Sequence, residues 1–227
     1  MAKNNKNQDH ELENIENALS TSEAFIEKYK KEISYVLGGI ILVAVIILAF
    51  KSWYIEPKEA EAKDKIAICQ EVFAKDSFQL ALNGDGEDIL GFEAIAKDYK
   101  FTKTAKLASL YAGICHFQLN DYENAVKWLN KFDLNSVNVS PATTGLIGDC
   151  YVEMKEYEKA VKYFKKASKE DNELTAPFYL KKLGVVYEEL GEYGKAIEVY
   201  TIIKKEYFKS MQAADIDKYI ERAKIKQ

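Results

Sequence analysis

Leu183-Gly184-Val185-Val186-Tyr187, then Gly191-Glu192-Tyr193, then Ala196-Ile197-Glu198-Val199-Tyr200 is the stretch on which the reading of this chain turns. Its small and aromatic positions recur upstream. Gly113, Tyr122 and Ala125 return 35 residues later as Gly148, Tyr157 and Ala160, and 36 residues after that as Gly184, Tyr193 and Ala196. The middle unit reads Ile147-Gly148-x-x-Tyr151 with Ala160-x-x-x-Phe164, and the first, weaker unit pairs Gly113 with Ala125-x-x-x-Leu129. A period in the mid-thirties suits two antiparallel helices per unit. Gly on the first helix and Ala on the second let the backbones approach to about 8–10 Å, with aromatics filling the space beside them. Gly148 is therefore expected to face Ala160 across its pair.

These units match the tetratricopeptide pattern and predict an all-α solenoid over 105–227, with three repeats at about 106–140, 141–176 and 177–210. Asn120-Asp121, Lys155-Glu156 and Gly191-Glu192 fall at the turns inside the pairs. Only Gly191 is the favoured residue for leaving a helix in the left-handed conformation, so the first two turns are expected to be less regular. Upstream, residues 56–104 read as a linker helix and a divergent leading pair. After Pro57, the positions Ala62, Ile66, Cys69, Phe73 and Leu80 form one three-four stripe, a single long helix ending at Asn83-Gly84-Asp85-Gly86. Asp88 to Tyr99 reads as a short helix with Phe92, Ile95 and Tyr99 inward. At the far end, Ala213 to Lys226 predicts a closing helix burying Ile216, Tyr219 and Ile220, the cap that a solenoid needs. Asn83, Asp85 and Gly86 stand in calcium-loop order, but Ala81 and Asp88 occupy places where a carboxylate and an apolar residue belong, which argues against calcium.

Composition limits the function. With 48% hydrophobic and 30% charged residues the chain can bury a core and keep a soluble outside, and a formal net charge of -4 gives no reason to expect nucleic acid. Cys69, Cys115 and Cys150 are far apart and odd in number, and the only histidines are His10 and His116. No metal knuckle, disulfide framework or Cys-His catalytic pair is expected from them, and the cysteines read as small buried side chains. No GxSxG, P-loop or dinucleotide motif is present, and paired carboxylates such as Glu188/Glu189 read as solvated helix faces. The expectation is a protein without catalytic residues, cofactor, metal or small-molecule substrate.

Ile33 to Phe50 (ISYVLGGIILVAVIILAF) holds no charge, and its 18 residues rise about 27 Å as a helix. With Trp53, Tyr54 and Ile55 it reads as a single transmembrane helix over 33–55. Tyr35 and Trp53/Tyr54 suit the two interfaces, and Lys28, Lys30, Lys31 and Lys51 can snorkel outward. The 32 residues before it are long for a signal-peptide n-region, and Ala49-Phe50-Lys51 lacks a small-x-small site, so the helix is expected to stay attached. Lysines flank both ends, and charge alone leaves the orientation open. In the tail, 1–32, the residues Leu12, Ile15, Leu19, Ser22, Ile26, Tyr29 and Ile33 make a helical stripe, with a capping box at Ser20 and Glu23. The stripe could dock on a partner, on the bilayer or on nothing.

In layout and in particular segments the chain resembles the YfgM-like family, membrane-anchored tetratricopeptide subunits that accompany the bacterial Sec translocon and periplasmic chaperones. The segments are Asp76-Ser77-Phe78, Ala81 to Gly86, Gly91-Phe92, Tyr111-Ala112-Gly113 and Gly145-Leu146-Ile147-Gly148-Asp149, in a form like that of Bacteroidetes-type bacteria. The resemblance implies a bacterial inner-membrane protein with a cytoplasmic N-terminus and a periplasmic repeat domain. It implies as partners the Sec translocon, a periplasmic chaperone and exported chains.

Repeats of this kind bind ligands on the concave side, lined by the first helix of each pair. That geometry assigns Leu107, Leu110, Ile114 and Phe117 from the first repeat. It assigns Asp149, Val152 and Glu153, beside Ala142 and Gly145, from the second, and Phe178, Lys181, Val185 and Glu188 from the third. The lining reads as apolar and acidic, without the clustered cations that grip a terminal carboxylate. The same residues could instead pack against neighbouring helices, since periodicity does not separate groove from core. Two functions follow, an accessory factor of Sec-dependent export, or a general envelope scaffold unrelated to the translocon.

Overall fold

The computed structural model describes residues 28–132, 139–169 and 173–227, whose regular elements are all helices, with no strand among the described residues. The tail stripe from Leu12 to Ile26 and its capping box lie outside the described residues. The chain divides after Glu56 into two compact units.

In the first unit α1 (Lys30–Phe50) passes into a π-helical turn at Lys51–Ile55. From Ile33 onward α1 is apolar around its whole circumference, and its large apolar side chains are exposed. It is long and apolar enough to cross a membrane. Phe50 stacks on Tyr54 with ring centroids 5.0 Å apart, next to the exposed Trp53.

The second unit starts with α2 (Glu56–Phe73), which does not run on to Asn83 as its stripe suggested. The chain turns at Asp76, whose φ is +57°, and restarts as α3 (Phe78–Asn83). The break shifts the helical phase, so Leu80 of the expected stripe is exposed while Ala81 and Leu82 are buried. A loop closed by Asp85 follows: its carboxylate accepts from the N–H groups of Glu87 and Ile89, both at 2.9 Å. Helix α4 begins only at Phe92, because Gly91 at φ +85° crosses the backbone of Asn83 too closely for any side chain.

Six helices then alternate in pairs: α5 (Lys103–Gln118) with α6 (Tyr122–Leu129), α7 (Val139–Glu153) with α8 (Tyr157–Ala167), and α9 (Ala176–Glu189) with α10 (Tyr193–Glu206). Each pair packs on the next, and α10 is covered by α11 (Ile216–Lys226) after a 3-10 turn at Met211–Asp215. Ile216 and Ile220 are buried there, Tyr219 half-buried. Glu59 on α2 caps α5 from outside, accepting from Lys103 N–H at 2.7 Å, Thr104 N–H at 3.2 Å and the Thr104 hydroxyl at 2.9 Å. A carboxylate at a helix N-terminus is favoured by both the free N–H groups and the helix dipole.

The atoms nearest Gly148 across the pair belong to Phe164: a Cβ on the glycine would lie within 3 Å of that ring, one turn beyond the fully buried Ala160 on α8. Gly113 stands in the same relation to Leu129, and Gly184 to Tyr200. The glycine thus makes room for the large side chain of the second helix.

The turns are also more uniform than expected. Asn120 (φ +60°), Lys155 (φ +59°) and Gly191 (φ +71°) all adopt the left-handed conformation. Each is followed by the same pair of bonds: Asn120 N–H to Phe117 O with Asp121 N–H to His116 O, Lys155 to Val152 with Glu156 to Tyr151, and Gly191 to Glu188 with Glu192 to Tyr187. This is the Schellman arrangement, and it forms whether or not glycine is present.

Gly184→Ala is expected to lower stability by roughly 1–3 kcal/mol through overpacking against Tyr200. Lys155→Gly is expected to raise it by about 0.5–1 kcal/mol by relieving the left-handed turn. Urea unfolding of both variants checks the pair, and equal shifts of one sign would contradict it.

Candidate functional site

The floor of the site is built where α7 and α9 lie side by side. Asp149 and Val152 from α7, Phe164 from α8, and Lys181, Lys182, Val185 and Val186 from α9 enclose a cleft of about 280 Å³. A second hollow of about 310 Å³ shares Lys181 and Lys182 and is completed by Phe178, Met211, Gln212 and Asp215. Together they form one groove along α9, with valine walls and aromatic ends. Phe178 is 41% exposed and Met211 88% exposed, so the groove opens onto apolar side chains.

Both lysines are committed. Lys182 Nζ lies 2.7 Å from each oxygen of Asp149, and Lys181 Nζ lies 2.6 Å from Asp215. Their stems run along the groove: Lys182 sits 4.8 Å from the Phe178 ring centroid and Lys181 4.3 Å from that of Tyr219. Burial lifts the Asp149 carboxyl above its usual pKa, outweighing Lys182, while the hydrogen bond from Lys181 holds Asp215 below it. Such a groove suits apolar side chains with a polar rim more than a lone carboxylate, because each cation already has one.

Of the residues assigned from sequence, the structure brings together Asp149, Val152, Lys181 and Val185 in the cleft and Phe178 beside it. Glu153 is exposed on α7. On α5, Leu107 packs partly against the leading core, Leu110 and Phe117 pack against the α6–α7 core, and Ile114 is half-buried. Phe117 meets Tyr122 edge-on at 5.6 Å. Glu188 is not in the groove. It is 7% exposed and accepts from Arg222 Nε (2.9 Å), an Arg222 terminal nitrogen (2.6 Å) and the Tyr200 hydroxyl (2.7 Å). It ties α9, α10 and α11 together, and only Glu189 of that pair is a solvated face.

Lys182 was missed, although the spacing of Phe178, Lys181, Lys182, Val185 and Val186 is the wide stripe of an amphipathic helix. Met211, Gln212 and Asp215 come from the cap and carry no repeat signal. His116 was also missed as a structural residue. Its two ring nitrogens face Glu93 Oε1 at 2.9 Å and Asp121 Oδ2 at 3.1 Å, bridging α4 to the turn after α5.

Among the described residues no group of three His, Cys, Asp or Glu side chains is placed to hold a metal ion. The three thiols are buried and free, and burial pushes those of Cys115 and Cys150 up to about 12, far from the thiolate a nucleophile needs.

Residues 180–203 match the family model described as tetratricopeptide repeat, and residues 94–167 match the one described as anaphase-promoting complex, cyclosome, subunit 3. The chain carries tetratricopeptide repeats. Neither description names an enzymatic activity, and the repeats make this a protein-interaction module. A solved structure titled "Crystal structure of MamA" shares 21% identity over 70% of this chain and 94% of its own, with a TM-score of 0.48. No curated protein matches the chain.

Burial alone would lift the Glu188 carboxyl, but hydrogen bonds from Arg222 and Tyr200 overcome it and hold the group below its usual range. Burial likewise acts against Glu93 and Asp121, and is overcome by Lys97 and His116 at the first and by Asn124 and His116 at the second. Depressed folded-state values contribute stability above the unfolded carboxylate range and lose it as pH falls through them, so unfolding is expected to ease below about pH 4.5. Glu188→Gln should cost about 1–2 kcal/mol at neutral pH, the partly exposed Arg222 limiting the loss, and should flatten the acid limb of a stability–pH curve.

Proposed function

We propose that the chain is a membrane-anchored accessory factor of Sec-dependent protein export, whose repeats hold apolar segments of a periplasmic chaperone or of emerging chains beside the translocon. The groove along α9 is the observation that carries this reading: valine walls, exposed Phe178 and Met211 at its mouth, and lysines already neutralised by Asp149 and Asp215. A site of this kind grips side chains by area and shape, so it accepts varied sequences. Helix α1 supplies the tether, which raises the local concentration of a weak binder to the order of mM for short flexible links. The likeness in layout to the YfgM-like subunits supports the inner membrane, with the N-terminus cytoplasmic and the repeats periplasmic.

A photo-crosslinker at Phe178, with a second at Met211, is expected to capture translocon subunits, chaperone or exported chains in living cells. Capture of unrelated envelope enzymes alone would favour a general scaffold. Protease added to intact spheroplasts is expected to digest the chain after about Trp53, and full protection there would reverse the topology.

A further inference from the structure

The loop between α4 and α5 holds a large ring in a backbone conformation that large residues avoid. Phe101 has φ +71° and is 73% exposed, although a bulky side chain in the left-handed region is disfavoured and water is a poor place for it. Its neighbours fix it there. The Thr102 hydroxyl donates to Tyr99 O at 2.6 Å and accepts from Ala105 N–H at 2.9 Å, while Glu59 holds the two N–H groups that follow. Lysines cluster at this loop: Lys97, Lys100, Lys103 and Lys106 recur at every third position through it, and Lys131 arrives from beyond α6 to lie 3.5 Å from the Trp128 ring centroid. Lys97, Lys100, Phe101, Lys106, Trp128 and Lys131 share one hollow of about 360 Å³. Four carboxylates lie among these five lysines: Glu93 bonded to Lys97 at 2.8 Å, Asp98 exposed at the end of α4, Glu59 at the start of α5, and Glu61, which accepts from the Tyr99 hydroxyl at 2.7 Å. In a chain of net charge -4 this loop thus keeps an excess of lysine beside an exposed aromatic ring.

We propose that this loop is a second, peripheral membrane contact, in which Phe101 enters the headgroup–acyl boundary and the lysines hold anionic phospholipid headgroups. An aromatic tip beside flexible cations is the chemistry that binds such an interface, where the ring gains an apolar environment and each lysine gains charge attraction. The surface is supplied by the chain's own tether, so the proposal rests on the membrane reading of α1, and weak docking suffices once the domain is held nearby.

The test uses the full chain in nanodiscs of phosphatidylcholine alone or mixed with phosphatidylglycerol, with a fluorophore on Lys103→Cys, the native thiols being buried. Incorporation into the neutral discs reports on α1 separately. The label is expected to be shielded from an aqueous quencher in the anionic discs, exposed in the neutral ones, and re-exposed by high salt. Lys100→Gln and Lys131→Gln should each lower the ratio of docked to undocked domain about fivefold. Phe101→Gly should also lower it while raising the melting temperature, a combination that a purely structural role for the ring would not give. Equal quenching in both lipids would overturn the proposal. So would shielding in neutral discs by an added acidic peptide or by inorganic phosphate, which would assign the patch to a protein or to a free anion.

Discussion

Everything in the repeat domain depends on the contact between a glycine on the first helix of a pair and a large side chain on the second. At Gly113, Gly148 and Gly184 the missing Cβ is the space that Leu129, Phe164 and Tyr200 occupy. The helix pair can close because one partner gives up volume where the other presents it, and the stacking of pairs inherits that spacing. Gly145 extends the principle between repeats, where its missing side chain is taken by Tyr179 of the next pair.

The groove is a by-product of this spacing with a particular chemistry added. Stacking α7 against α9 brings Asp149 to Lys182, and stacking the cap against α9 brings Asp215 to Lys181. The two ion pairs join residues 33 and 34 positions apart, about one repeat, so they report register as well as charge. Glu188, on the same helix, turns the other way and closes the cap through Arg222 and Tyr200. One helix therefore serves two surfaces, an open one lining the groove and a closed one facing its own terminus.

The repeat architecture was legible because period and residue size are carried by the same few positions. The nearest neighbour within the pair was not: residues one turn apart share a helix face, and the large ring of Phe164 reaches closest to Gly148 beyond the small Ala160. The linker misled for a different reason. A three-four stripe continues across a break if the chain happens to resume near phase, and only the left-handed Asp76 and the exposed Leu80 betray the interruption. Asp149, Val152, Phe178, Lys181 and Val185 were assigned from the geometry of repeats of this kind, which puts the first helix of each pair on one surface, whereas Lys182 needed the stripe to be drawn wider and Asp215 needed the cap to be folded. Glu188 was misplaced because a carboxylate on a helix suggests solvent, and the arginine that buries it lies in the cap, beyond the third repeat.

The cysteines are spread unevenly over the cores. Cys69 and Cys115 lie in the leading core and Cys150 in the middle one, while the last core, which the Glu188 cluster seals, has none. Native thiols are therefore silent until a core opens, and those that then react belong to the leading half of the solenoid. An oxidising compartment would make the leading half the one in which a breathing motion becomes a permanent chemical mark, and would leave the terminal pair free to open and reclose without one.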